Sequence, residues 1–205
     1  MTSTRGFTLI ELAVVLVIIS LLMLVLFKGS TLIGTGQSQQ VLAAVKDLGA
    51  GVTQFRSTYR YLPGDMPDAS TRLPGVALCN PVGAPTTANG DGNGRIDVAE
   101  VLCVTEHLFR AGIIKSNAPI TFSTSRGIIT IRVIGRSADP SALALGFPTS
   151  TRNVIEVLNV PCQIALDLDA KTDDGNFATG NTRASVASCT VDGANDPVPL
   201  IAIGL

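Results

Sequence analysis

The chain has 205 residues, 46% of them hydrophobic and 15% charged, with a formal net charge of −1, no Trp and a single His. That length allows one domain of ordinary size beyond any membrane segment, and the near-balance of charge excludes the electrostatic footprint of a nucleic-acid-binding surface. The four cysteines, Cys79, Cys103, Cys162 and Cys189, form no C-x-x-C pair, which excludes zinc-ribbon and thioredoxin-type sites.

The chain starts MTSTRGFTLIELAVVLVIISLLMLVLFK, a polar stretch ending at Gly6 and then an apolar run. From Phe7 to Phe27 the polar residues are Thr8, Glu11 and Ser20. As a helix this run covers about 30 Å, enough to cross the hydrocarbon core of a bilayer. A secretory signal peptide fits poorly: the apolar region is too long, no A-x-A-like site follows, and Lys28-Gly29-Ser30 is a poor cleavage context. A plain anchor explains the length and leaves Glu11 unexplained. A carboxylate near the middle of a bilayer costs about 2.5–3.5 kcal/mol on insertion scales, so Glu11 reads as a functional residue.

The segment Gly6-Phe7-Thr8-Leu9-Ile10-Glu11-Leu12 resembles the processing site of type IV pilins and pseudopilins. The resemblance implies that a membrane aspartyl peptidase, the prepilin peptidase, cuts between Gly6 and Phe7 and N-methylates Phe7. Arg5 supplies the basic residue of the short leader and, with the α-amino group, favours a cytoplasmic start; Lys28 beyond the run weakens that bias. The resemblance also gives Glu11 a role, facing the freed amine of Phe7 in a neighbouring subunit. Each charge is costly alone in apolar surroundings, and pairing offsets part of both costs, so the pair sets axial register more than it adds stability.

Next in the chain, Gly29, Gly34 and Gly36 form a zone of low helix propensity, each costing about 1 kcal/mol against Ala. Val41, Val45, Leu48, Val52, Phe55, Tyr59 and Leu62 then recur at spacings of 4, 3, 4, 3, 4 and 3, one apolar stripe of a helix that Pro63 should end. Residues 64–97, rich in Gly, Pro, Asn and Thr, are expected to form a long structured loop. Val98–Ile114 reads as a helix, and Ile120–Ser123, Ile128–Ile134 and Val154–Leu158 as strands. Cys162–Ala170 reads as a second short helix, Asp173-Asp174-Gly175 as a turn and Val198–Ile203 as a closing strand. Asp167, Asp169, Asp173 and Asp174 are taken as helix-end and turn residues. Outside the cytoplasm the cysteines should oxidise. Of the possible pairings, Cys79–Cys103 and Cys162–Cys189 are favoured because each closes a local loop, worth roughly 3–4 kcal/mol; four buried free thiols are the alternative.

Residues 89–100 carry a metal-loop pattern. An EF-hand loop places oxygen ligands at positions 1, 3, 5, 7, 9 and 12 and Gly at 6. Asn89, Asp91 and Asn93 fill the first positions, Gly94 sits at the turn, the Arg95 carbonyl follows, then Asp97, and Glu100 falls at the bidentate position. Asn89 replaces the usual Asp, and no helix enters the loop because Pro81 and Pro85 precede it. The spacing implies a weak, structural Ca2+ site suited to millimolar extracellular calcium. The bland reading is an Asn/Gly turn with incidental acids.

No G-x-S-x-G, P-loop or H-E-x-x-H is present, and His107 lies on a predicted helix with no nucleophile marked beside it, so no enzyme is indicated. The expected fold is α+β and pilin-like, a long N-terminal helix packed on an antiparallel sheet head with a long structured loop. The expected division is a leader (1–6), a transmembrane and assembly helix (7–28), its amphipathic continuation (29–62) and a head (63–205). The resemblance implies a structural subunit of a type IV pilus-like or type II secretion-like filament. It would be held in the bacterial inner membrane before assembly and then be periplasmic or extracellular, with itself or other pilins as partners. The alternative is a monomeric, membrane-anchored calcium-binding or adhesive domain.

Overall fold

The computed structural model describes residues 8–79 and 87–205, with the side chains of residues 24–35 left out of the description. Its spine is helix α1 (Leu9–Tyr59), 51 residues in one piece. The helix runs without a break through Gly29, Gly34 and Gly36. It stops three residues before Pro63 would force it to, because Arg60 turns left-handed (φ 68°) and its amide closes on the Arg56 carbonyl at 2.9 Å.

The two ends of α1 meet different surroundings. On the C-terminal half, Val41, Val45, Leu48, Val52 and Phe55 are buried, so the apolar stripe is the face that enters the head. On the N-terminal half, the large apolar side chains from Leu9 to Met23 are exposed. Among the described residues, no helix is long and apolar enough to cross a membrane.

The stripe packs on a five-stranded antiparallel sheet of order β1-β2-β3-β5-β4. Its strands are β1 (Ile120–Thr124), β2 (Gly127–Gly135), β3 (Asn153–Val160), β4 (Thr182–Ala184) and β5 (Val198–Gly204). The β-branched run of β2 alternates as a half-buried strand must: Ile129, Ile131 and Val133 enter the core beside Ile155, Val157 and Ile201, while Ile128 is exposed. The opposite face holds a smaller cluster, Ile134, Val154 and Ala202, closed by Ala142 of α4 (Pro140–Ala144) and by Phe147.

Helix α3 (Val101–Arg110) follows a 3-10 turn at Val98–Glu100 and packs against α1 and β2. It ends at Arg110, not Ile114, because Gly112 takes φ 70° and reverses the chain. Helix α5 (Cys162–Thr172) lies along α1 and adds Ile164, Ala165 and Leu168 to the main core. The structure pairs Cys79 with Cys103 and Cys162 with Cys189, tying the chain after α2 (Ala69–Arg72) to α3, and the start of α5 to the segment before β5. Helices α2 and α4 and strand β4, of 4, 5 and 3 residues, do not figure in the sequence reading.

Candidate functional site

Two places in the molecule carry the sequence-derived site residues. The first is the start of α1. Gly6 and Phe7 lie outside the described residues. Thr8 is the N-cap, and it forms a reciprocal capping box with Glu11. The Thr8 hydroxyl accepts from the Glu11 amide at 3.3 Å, and Glu11 Oε2 accepts from the Thr8 amide and hydroxyl, both at 2.8 Å. Glu11 therefore satisfies a helix-start N–H that has no intrahelical partner. The signal was present in the sequence as Thr8-x-x-Glu11.

The second place is the junction of the segment after α1 with loop 89–100. Gly90 presses on the backbone of Gly64 and Asp65, where any Cβ would collide, and its amide donates to the Met66 carbonyl at 2.9 Å. The Gly92 amide donates to the Asp65 carbonyl at 2.9 Å. His107 clamps the same junction from α3. Its Nδ1 accepts from the Gly64 amide at 2.9 Å, which leaves the proton on Nε2 to bond the Ala88 carbonyl at 2.8 Å. Burial holds this imidazole below its ordinary pKa, so it is neutral. The histidine thus has a structural role, stacked on Phe55 with ring centroids 6.1 Å apart.

The carboxylates that converge here are Asp65, Asp91 and Glu100, with oxygens within 4.8 Å of one another. Asp65 and Glu100 are buried and Asp91 is exposed. Asp65 accepts from the amides of Asn93 and Gly94 at 2.9 and 2.8 Å. Glu100 accepts from those of Asp91 and Asp97 at 2.9 and 2.8 Å. Burial above all, together with the Asp91 carboxylate, pushes Asp65 up to about 6 against the pull of those amides. Burial and the charges of Asp65 and Asp91 push Glu100 up to about 7. Three carboxyl groups at this spacing repel when ionised, and a hard cation would relieve all of them.

The other loop residues point elsewhere. Asn89 Oδ1 accepts from the Ser70 amide at 2.8 Å, capping α2 from outside. Asn93 Oδ1 accepts from the Arg95 amide at 2.7 Å, while its Nδ2 donates to Asp91. Asp97 is engaged by the Arg95 guanidinium at 2.7 Å, which first of all holds its carboxyl below the usual range. The structure thus brings Asp91 and Glu100 together, sets Asn89 and Asp97 on other partners, and adds Asp65. No spacing rule could supply Asp65, because a long loop separates it from the motif.

Glu106 of α3 holds the disulfide end of this loop. Its Oε1 accepts from the Ala77 amide and Arg110, and its Oε2 from Asn117. The Cys79–Cys103 bridge lies beside this network.

Residues 1–27 match the family described as the prokaryotic N-terminal methylation motif, which is the type IV pilin signature. No curated protein and no solved structure matches the chain. The motif implies processing by a prepilin peptidase and assembly into a filament, and it points to a structural subunit rather than an enzyme.

Proposed function

We propose that the chain is a subunit of a type IV pilus-like or type II secretion-like filament. It is stored in the inner membrane through residues 7–28, cut after Gly6, N-methylated on Phe7 and polymerised through α1. The observation that carries this reading is the division of α1, whose stripe from Val41 to Phe55 is buried in the head while Leu9 to Met23 stand exposed. A run of bare apolar side chains on a helix needs another apolar surface, lipid before assembly and neighbouring α1 helices after it. The matched motif at residues 1–27 covers this same bare segment.

In the polymer, Glu11 exchanges its local bond to the Thr8 amide for the methylated amine of a neighbouring Phe7. The test is Glu11→Ala, followed by separate measurement of membrane content and of subunit in sheared filaments. The variant is expected in the membrane at wild-type level and absent from filaments. Wild-type incorporation would overturn the role given to Glu11.

The head is proposed to take a Ca2+ ion at Asp65, Asp91 and Glu100, held for stability rather than for chemistry. The convergence of these carboxylates within 4.8 Å supports it. Oxygens each about 2.4 Å from one ion lie at most about 4.8 Å apart. Calcium titration of the full chain in detergent micelles should raise the unfolding midpoint, and Asp65→Asn with Glu100→Gln should remove this part of the rise. An unchanged midpoint across the millimolar range would refute it.

A further inference from the structure

The C-terminal end of α5 holds a second group of acids that neither the filament reading nor the metal-loop motif uses. Asp169, Asp173 and Asp174 offer carboxylate oxygens within 4.8 Å of one another. Spacing alone made them look like helix-end and turn residues. The structure adds an observation of a different kind: Asp169 is fully buried (0% exposed), and neither of its carboxylate oxygens has a hydrogen-bond partner.

This is a costly arrangement. A carboxylate this buried loses its hydration, and the weak pull of the Gly175 amide returns only part of that loss. Burial first, then the charges of Asp174 and Asp173, push Asp169 up to about 6, and the nearby Gly175 amide offsets only part of this. The surroundings are also of the wrong sign. The last carbonyls of a helix carry the negative end of its dipole, where a cation is favoured and a carboxylate is not. Among the described residues, no Lys or Arg forms an ion pair with any of the three acids. The Arg183 guanidinium, whose charge reaches Asp174, is bonded to the carbonyls of Leu145, Gly146 and Gly180 and stands over the Phe147 ring. Lys171 points out to solvent.

The other two acids are held in place from outside the cluster. Asp173 Oδ2 accepts from the Thr182 amide at 2.7 Å, at the start of β4. Asp174 accepts from the Asn176 amide at 2.9 Å and the Thr179 hydroxyl at 2.6 Å. Gly180 leaves the space that the Asp173 carboxylate occupies; a Cβ there would overlap it. Two oriented acids thus converge on a third that lacks a partner.

We propose that Asp169, Asp173 and Asp174 bind a hard divalent cation of the calcium class. Carboxylate oxygens are the ligands such an ion takes, and the mutual distances of these three groups fit a common centre. The ion supplies the missing partner of Asp169 and ties the end of α5 to the segment leading into β4. This site lies on different elements from the Asp65 cluster and does not depend on the filament reading.

The test uses the full chain in detergent micelles, with Ca2+ titrated across the millimolar range and bound ion counted by equilibrium dialysis. Asp169→Asn keeps the shape and removes the buried charge; Asp174→Asn does the same at an exposed ligand and leaves the core untouched. Each is expected to lower the bound calcium by one ion per chain, and the doubly substituted D65N/E100Q chain should show the same loss when D169N is added. Calcium should also slow amide exchange across residues 173–182 in the unmodified chain and not in D169N. Unchanged calcium stoichiometry in both D169N and D174N would overturn the site. Loss of the effect of D65N/E100Q alone would count against the other cluster and leave this one standing.

Discussion

The two halves of α1 both carry large apolar side chains and meet opposite surroundings. From Val41 to Phe55 the apolar side chains lie against the sheet and are buried. From Leu9 to Met23 they stand in the open. The difference comes from the rest of the chain, which folds only around the second half. Stability of this protein is therefore located in the head and the junction behind it, and the proposed function assigns association to the bare half. Substitutions in the two regions should separate cleanly in two measurements, head unfolding and filament incorporation.

The largest expected effect is on the head side. Phe55 is fully buried between the sheet, Tyr59 and His107, and Phe55→Ala should cost about 3–5 kcal/mol of head stability in denaturant unfolding. Removing the Cys79–Cys103 bridge, with its sequence separation of 24, should cost roughly 3 kcal/mol in the same measurement. His107→Leu leaves the Gly64 amide and the Ala88 carbonyl without their partner, and each buried orphan costs about 1–3 kcal/mol. A comparable loss in Glu11→Ala would break the comparison.

A pH series sharpens it. Asp65 and Glu100, raised to about 6 and about 7, hold protons in the folded head that the unfolded chain releases above about 4. Their contribution is therefore full below about 4 and is lost as pH rises through those values. Asp169, raised to about 6, adds in the same direction. His107 runs the other way. Its pKa is held down, so its contribution is full above about 6.5 and is lost as the unfolded chain takes up a proton below that. With divalent ions chelated, the unfolding midpoint should rise on acidification from about pH 8 to about pH 6. In D65N/E100Q that rise should largely disappear.

The smallest effect on stability is expected at Glu11. Its capping box is exposed, so Glu11→Ala should change head stability by less than about 0.5 kcal/mol while abolishing incorporation.

Much of this was legible before the structure. The stripe from Val41 to Leu62 has the helical period, and the run Ile128–Ile134 has the β-branched composition of a strand. Both patterns are imposed by one-sided burial, which local sequence records directly. The end of α1 was not legible, because Arg60 ends it by taking a left-handed conformation that its type does not advertise, while the visible stop, Pro63, lies further on. Helix α4 did carry a signal, Asp139 before Pro140, and the Asp139 side chain indeed accepts from the Ser141 amide at 2.7 Å. Strand β4 is too short and polar to show a period; its pairing with β5 defines it.

The site residues divide the same way. Asp91 and Glu100 were found because a loop motif spaces its ligands along the chain. Asp65 and the solitude of Asp169 were not, since both arise from tertiary packing. His107 brings the Asp65 segment onto the loop, and the burial of Asp169 at the end of α5 has no counterpart in local spacing.

The central claim is that the bare half of α1 becomes the assembly surface only after cleavage behind Gly6. Intact-mass analysis of purified filaments tests it most directly. The account predicts a chain that begins at N-methylated Phe7 and is lighter by the hydrogens lost in forming both disulfides. Purified filaments in which the chain retains Met1 and its leader would contradict it.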